Sequence, residues 1–168
     1  MPRRFFNDVD PFMPAKETDS YLNPVASALK EKENWHGYGI DISARCVAYA
    51  KKMMEIHELA ERTQIERADA RTLPYPDETF DLVIATEVLE HLPNALEGLK
   101  EVTRILKRGT HAILALPVRL PLLEHLSIFS APEEVRRAYT NANLSIEQFE
   151  TWESGGDFID TFAVCRKL

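Results

Sequence analysis

Two acidic residues follow predicted strands at the points where those strands end. Asp41 closes the short apolar stretch Gly37–Asp41, and Asp69 follows the weakly alternating stretch Thr63–Ala68. Ligands of open α/β sheets bind beyond the carboxyl ends of the strands, where the Asp41 carboxylate could accept hydrogen bonds from both hydroxyls of a ribose. Asp69 could accept from the exocyclic amine of an adenine while the Ala70 N–H donates to a ring nitrogen. Together they indicate an adenosine pocket, although a helix-start acid and a solvated loop acid are the simpler interpretations of each alone.

A third polar stretch, Thr86–His91, leaves the strongest predicted strand of the chain. Thr86 could contact a ligand through its backbone, and Val88 or Leu89 could pack on an adenine face. His91 could act as a base near neutral pH, whereas a packing or helix-end histidine is the simpler interpretation. No other catalytic candidate is identified.

The elements that must position these residues alternate between strands and helices. This alternation predicts a Rossmann-like, doubly wound and mostly parallel α/β sheet, closed by a C-terminal antiparallel hairpin around a Gly-Gly loop. We expect Phe80–Thr86 to be its central buried strand, between the strands that end at Asp41 and near Leu116. Helices are predicted to begin at Asn23-Pro24, Ser43, Pro93-Asn94 and a capping box at Ser130–Glu133. The predicted strands are Gly37–Asp41, Thr63–Ala68, Phe80–Thr86, Thr110–Leu116, Ile146–Trp152 and Phe158–Cys165.

The first twenty residues lack this order. Met1–Ser20 contains three prolines and neither a helical nor an alternating period. We therefore predict an irregular arm over 1–20, followed by a single domain over 21–168. The arm could contain a poor strand around Phe5–Phe6 or Phe12–Met13, so the first strand of the sheet is left open.

Composition excludes several classes of protein. The 27 acidic residues outnumber the 20 basic ones, and the net charge of −7 argues against broad nucleic-acid binding. No apolar run approaches the roughly 20 residues of a membrane helix, and no signal peptide opens the chain. Cys46 and Cys165 stand far apart with no partners at metal-ligand spacing, so we predict no metal site and a reduced, cytoplasmic protein.

Several of these motifs, taken in order, resemble the class I S-adenosylmethionine-dependent methyltransferases. The resemblance covers roughly residues 21–168 and rests on Gly39–Ser43, Ala68–Ala70, Phe80–His91, Glu101–Gly109 and the closing hairpin. The Glu-Val-Leu-Glu-His stretch resembles the subgroup that contains quinone-biosynthesis O-methyltransferases, and this subgroup also acts on many other substrates.

The resemblance implies S-adenosylmethionine as cofactor and assigns expected roles to several residues. It implies that Asp41, with Ile42 beside it, binds the ribose of the methyl donor. Asp69 and Ala70 would lie along the adenine, and Thr86 would lie near the amino acid part of the donor. The family implies a methyl acceptor that is a small molecule.

The sequence departs from the family at the donor loop. In the family, the first strand ends in an acid that is followed by a Gly-x-Gly-x-Gly loop. In this sequence, Pro14–Ser20 contains no glycine, and the first glycine of the chain is Gly37. Side chains at those positions would crowd the donor or require another loop path. An active methyltransferase with an unusual loop and a non-catalytic methyltransferase-like module both stay open. A third alternative is a methyltransferase-like fold that has lost its first strand. A dinucleotide dehydrogenase is a weaker fourth alternative, because it also needs a glycine loop.

The segment Pro117–Phe129 is the place where an acceptor would be selected. Its apolar residues could line an acceptor pocket, but we expect them to cover the sheet, because burial is the commoner use of such residues. Exposure of this segment would instead indicate a dimer or partner surface, so homo-oligomers are left open.

Overall fold

Seven strands form one sheet in a computed structural model of the chain. The structure describes residues 3–8, 26, 29–155 and 158–168, with the backbone alone at 3–8 and 154–155. The strand order is β3-β2-β1-β4-β5-β7-β6. The strands are β1 (Arg3–Asp8), β2 (Trp35–Asp41), β3 (Thr63–Arg67), β4 (Phe80–Thr86), β5 (Leu106–Val118), β6 (Leu144–Gly155) and β7 (Phe158–Lys167). The predicted mixed α/β sheet is therefore confirmed.

The strand β1 lies in the middle of the sheet. It runs parallel to β2 on one side and to β4 on the other, with Phe5 opposite both Gly37 and Leu82. The prediction of an irregular arm is thus wrong for residues 3–8, and the alternative of a strand around Phe5–Phe6 is confirmed. The remainder of the predicted arm, including Phe12–Met13 and Pro14–Ser20, lies outside the described residues.

The position of β1 also corrects the predicted neighbours of β4. We expected the strand that ends at Asp41 to pair with β4, but β1 lies between β2 and β4. The other predicted neighbour is right, because β4 pairs in parallel with β5, with Val83 opposite Ala112. The predicted strand order was wrong at this point because it did not include β1.

Three α-helices have both ends among the described residues, namely α1 (Ala44–Ile56), α2 (Ala95–Ile105) and α3 (Pro132–Asn141). Ser43 caps α1 as predicted, since its Oγ accepts from the Cys46 N–H at 3.4 Å, and Asn94 caps α2. The capping residue of α3 is Ala131 rather than Ser130, because Pro132 takes the first helical position. Residues 29–31 are also helical, within the helix predicted from Asn23, whose start lies outside the described residues.

The closing hairpin is antiparallel, as predicted. The strand β7 pairs with both β5 and β6, so β6 forms the edge of the sheet. Thr161, which is fully buried on β7, donates its hydroxyl proton to the Leu116 carbonyl at 2.8 Å. This hydrogen bond satisfies a buried polar side chain and fixes the register of β7 against β5.

The main core lies between the sheet and helices α2 and α3. Phe80, Leu99, Leu114 and Tyr139 are all fully buried there. In the part of the chain that the structure describes, no helix is both long and apolar enough to cross a membrane.

Candidate functional site

The carboxyl ends of the five parallel strands β1 to β5 lie at one edge of the sheet. The chain passes from β1 to β2 and β3 on one side, and then crosses β1 to place β4 on its other side. Ligands of doubly wound sheets bind at such a switch point. Asp41 ends β2, Asp69 follows β3, and Thr86 ends β4. The fold therefore brings these predicted site residues to the same edge of the sheet.

Asp41 is a buried carboxylate at the start of α1. It is 3% exposed, and its Oδ1 accepts a hydrogen bond from the Ser43 N–H at 2.6 Å. The helix-start interpretation of this acid is thus correct. A carboxylate has two oxygens with about four acceptor positions, so one such group can serve both a helix start and a ribose.

Ile42 gives the site an apolar surface beside Asp41. Its side chain is 51% exposed, although the residue lies between a buried strand end and a helix cap. The Arg67 Nε donates to the Ile42 carbonyl at 2.8 Å and holds this turn against β3. An acceptor of hydroxyl hydrogen bonds next to an open apolar face fits a ribose joined to a planar base.

Asp69 is occupied by an ion pair. The Arg71 guanidinium contacts both of its oxygens, with Nη2 at 2.7 Å from Oδ2, and the Arg71 N–H donates to Oδ1 at 2.9 Å. The hydrogen bond from the Arg71 side chain lowers the pKa of the Asp69 carboxyl below its ordinary value. An adenine amine would have to share these oxygens with Arg71, so the neighbouring half-buried Ala70 is better placed for an adenine through its backbone.

The chain turns sharply after β4. Glu87 adopts a left-handed conformation with φ of 56°, and its N–H donates to the Ala115 carbonyl of β5 at 3.3 Å. Val88 and Leu89, expected against the adenine, are only 4% and 1% exposed, which leaves them little surface for a ligand. Thr86 is half-buried at the strand end. Of the three residues that were expected to contact the ligand here, Thr86 is thus less buried than Val88 and Leu89.

His91 lies against the segment that follows β5. Its Nδ1 is 3.1 Å from the Glu124 carbonyl oxygen, and since a carbonyl can only accept, Nδ1 carries the proton. Nε2 is then the basic nitrogen of the neutral ring. The His125 ring lies edge to face with it at 5.0 Å, and the fully buried Glu90 precedes it. A base at this position would therefore act through Nε2.

The segment after β5 does not cover the sheet as expected. Several of its large apolar side chains are exposed, so the covering prediction is wrong for them. They are Leu122 at 44%, Leu123 at 101%, Leu126 at 58% and Ile128 at 54% exposure. The segment is nevertheless held at both ends, because Arg119 N donates to the Phe129 carbonyl at 2.8 Å and Leu126 N donates to the Glu90 carbonyl at 2.8 Å.

Three residues at this edge were missed from the sequence. Asp8 ends β1, at the place where the resembling family has an acid before its donor loop. The sequence prediction placed the family loop at Pro14–Ser20 and therefore did not include Asp8. Glu90 and His125 meet through the fold, and His125 lies 34 positions after His91, so no local spacing pairs them.

The connection that follows β1 contains no glycine. From the end of β1 at Asp8 to the residue before Gly37 the sequence contains none, so the departure noted above holds wherever the loop begins. Glycines at this connection usually allow the backbone to approach a ligand closely.

Comparisons with known proteins point to the family of the methyltransferase domain. A model of the methyltransferase domain matches residues 23–114. A demethylmenaquinone methyltransferase of Bacillus mycoides is 37% identical over 89 residues, which are 53% of this chain and 37% of that protein. An uncharacterized protein of Haemophilus influenzae is 30% identical over 149 residues, 84% of this chain and 57% of the relative. The chain thus spans roughly a third to three-fifths of the length of these curated relatives.

Solved structures share the fold at low identity. The [4+2]-cyclase SpnF superposes with a TM-score of 0.80 at 16% identity, over 98% of this chain and 74% of that one. A geranyl diphosphate methyltransferase, solved with S-adenosylmethionine, gives 0.77 at 10% identity, over 99% of this chain and 79% of that one. Since the family model matches more than half of the residues, the chain belongs to the methyltransferase-domain family of class I S-adenosylmethionine-dependent proteins that its strand-end motifs resemble.

Proposed function

We propose that this chain is a methyltransferase domain that transfers a methyl group from S-adenosylmethionine to a small-molecule acceptor. The observation that carries the proposal is the pair formed by the buried Asp41 carboxylate and the exposed Ile42 side chain. This pair lies at the carboxyl end of β2, next to the switch point of a family fold. It matches the polar and apolar halves of an adenosine.

Each site residue has a specific task in this proposal. The donor supplies an electrophilic methyl group on a sulfonium, so the protein mainly has to align the reactants. Asp41 accepts from the ribose hydroxyls, and Ile42 packs on the adenine. Ala70 presents its backbone to the edge of the base, and the Thr86 backbone lies beside the amino acid part. A protein base is optional in this reaction, since the proton that the acceptor loses can pass to solvent.

The acceptor is proposed to be a small, partly apolar molecule. Relatives are named for demethylmenaquinone and for 27-O-demethylrifamycin SV, the latter at 38% identity over 71 residues. The exposed Leu122, Leu123 and Leu126 offer an apolar surface on a segment that is hydrogen-bonded to Glu90, next to the end of β4. Burial of such surface against an apolar acceptor is favourable.

Replacing Asp41 by asparagine should weaken the binding of S-adenosylhomocysteine by about 1–3 kcal/mol, the range for losing a hydrogen bond to a charged group. Asparagine keeps an oxygen for the Ser43 N–H, but removes the charge and one acceptor oxygen. Isothermal titration calorimetry of the full chain measures the difference.

The Ser43→Ala variant is the matched control for the Asp41 test. It removes the other side chain that caps α1, whose Oγ accepts from Cys46 N, without touching the proposed ribose acceptor. We expect it to bind S-adenosylhomocysteine as the unmodified chain does. Equal affinities for the Asp41→Asn variant and the unmodified chain would remove Asp41 from the donor site.

A second candidate is a non-catalytic methyltransferase-like module that binds the donor weakly or not at all. The glycine-free connection after β1 favours it, because backbone N–H groups at a tight turn normally hold the methionine end of the donor. The same calorimetry separates the two candidates. A dissociation constant near micromolar supports the enzyme, and no binding at millimolar S-adenosylhomocysteine supports the module.

A further inference from the structure

Three metal-ligating side chains converge beside the turn that follows β4. Glu90 and His91 belong to the short 3-10 helix Leu89–His91, and His125 comes from the segment after β5. One donor atom of each residue lies within 4.8 Å of the donor atoms of the other two. Glu90 is 1% exposed, and both histidines are partly buried. The three residues thus place ionisable side chains together in a largely buried position.

The hydrogen bonds of the two histidines give an independent indication of a ligand. His91 Nδ1 lies 3.1 Å from the Glu124 carbonyl oxygen, and His125 Nδ1 lies 2.8 Å from the Leu120 carbonyl oxygen. Because carbonyls only accept, both rings carry their proton on Nδ1 and their lone pair on Nε2. Metal-binding histidines are typically held in this way, with the second ring nitrogen donating to a backbone carbonyl.

Backbone hydrogen bonds hold the two parts of the cluster together. The Glu90 carbonyl accepts from Leu126 N at 2.8 Å and from Ser127 N at 2.9 Å. Ser127 Oγ also donates to the Leu92 carbonyl at 2.7 Å and accepts from Ala95 N at 3.0 Å. The residues that flank His125 are thus fixed against the residues that flank His91. Ligands that are positioned before binding lose less entropy when the ion arrives.

We propose that Glu90, His91 and His125 bind one divalent transition-metal ion, with Zn²⁺ as the best match. Two imidazole nitrogens and one carboxylate oxygen are the protein ligands of one type of catalytic zinc site, which keeps a fourth position for water or another oxygen. Ligands at Zn–N and Zn–O distances of about 2.1 Å lie about 3.4 Å apart in a tetrahedron. The three donor atoms, which lie within 4.8 Å of one another, therefore have to draw together when the ion binds.

The test uses the full chain after removal of metals with a chelator. Titration with Co²⁺, followed by its visible absorption, and with Zn²⁺, followed by calorimetry, should each show one equivalent bound. The Glu90→Gln and His125→Asn variants should bind at least about tenfold more weakly, since even residues behind the ligands contribute tenfold or more. Both replacements keep the approximate size of the side chain.

The His111→Ala variant is the control for loss of a histidine. His111 pairs with Glu147 at 3.0 Å on the hairpin side of the sheet, and its removal should leave the affinity for Zn²⁺ unchanged. Thermal unfolding without metal shows that each variant is folded. Binding of less than one equivalent, or equal affinities in the His125→Asn variant and the unmodified chain, would overturn the proposal. Titration with S-adenosylhomocysteine tests the proposed function separately, because the metal site does not depend on it.

Discussion

Replacing Phe80 by alanine should lower the free energy of unfolding by about 3–5 kcal/mol, as for other buried aromatic residues. Phe80 is fully buried at the start of β4, the strand that pairs with both β1 and β5. Its ring lies edge to face with Tyr38 at 5.3 Å and with Tyr75 at 5.0 Å. The truncation removes both ring contacts and leaves a cavity that strands on either side cannot close. Urea unfolding followed by circular dichroism measures the loss.

Phe149→Ala is a matched truncation at the edge of the same sheet. Phe149 is half-buried on β6, with the Arg136 guanidinium 3.8 Å from its ring centre. Part of its apolar surface is already in water, so its loss should cost clearly less than that of Phe80. A loss below about 1 kcal/mol for Phe80→Ala would contradict the assignment of β4 to the core, because core truncations of this size cost more.

The elements that sequence predicted correctly are those with a strong local pattern. The stretch Phe80–Thr86 has a continuous apolar middle, which is typical of a parallel strand buried on both faces, and it forms β4 with these bounds. The caps Ser43 and Asn94 begin α1 and α2 as predicted. In each case the residues that determine the element are close together in the sequence.

The strand β1 could not be assigned from its own residues. Central parallel strands usually consist of apolar runs, but Arg3–Asp8 has only Phe5 and Phe6 between charged or polar residues. Its place is determined by pairing with β2 and β4, which are far away in the sequence. Such tertiary pairing overrides local propensity, and a single sequence does not contain it.

The site shows the same division between local and tertiary information. The position of Asp41 followed from the end of a strand. Asp69 and its partner Arg71 are close in the sequence, but the contact of Arg71 with both carboxylate oxygens of Asp69 depends on the conformation of the loop. The meeting of Glu90 with His125 requires the segment after β5 to fold back onto the turn after β4. The exposed leucines of that segment could not be predicted, since burial depends on what the whole fold leaves uncovered.

The fold keeps the family arrangement although the donor connection differs. The strands β4, β5 and β7 and the closing hairpin lie on one side of the switch point. The glycine-free connection leaves from β1 and leads toward β2 on the other side. Among the described residues, the buried core that contains Phe80 and Leu114 consists of residues at position 40 and beyond, so we expect a changed connection to affect a ligand at the switch point before it affects this core.

Replacing Arg104 by methionine should lower the free energy of unfolding by about 2–4 kcal/mol, because it leaves several partly buried acceptors without a donor. Arg104 is 29% exposed on α2 and ties the loop after β3 to that helix. Methionine retains most of the apolar packing of the side chain. The guanidinium donates to Glu101 Oε1 at 2.7 Å and Oε2 at 2.8 Å, Asp77 Oδ1 at 2.9 Å, the Tyr75 carbonyl at 2.7 Å and the Leu73 carbonyl at 3.0 Å.

The stabilisation from Arg104 should also depend on pH. Its hydrogen bond lowers the pKa of Glu101 below the ordinary value of 4.5, so the carboxylate stabilises the fold above that value. The contribution is lost as the pH falls through the lowered pKa of the folded state. Urea unfolding of the unmodified chain and the Arg104→Met variant should therefore show a difference that is full at pH 7 and shrinks below about pH 4.5.

Lys107→Met is the control for this pH dependence. Lys107 pairs with Asp81 at 2.9 Å and is 40% exposed, so water screens the pair and its loss should cost no more than about 1 kcal/mol. If the Arg104→Met variant lost no more stability than the Lys107→Met variant, the guanidinium would not be what holds the loop. If its loss were the same at pH 3 as at pH 7, the Glu101 carboxylate would not be the group through which Arg104 acts.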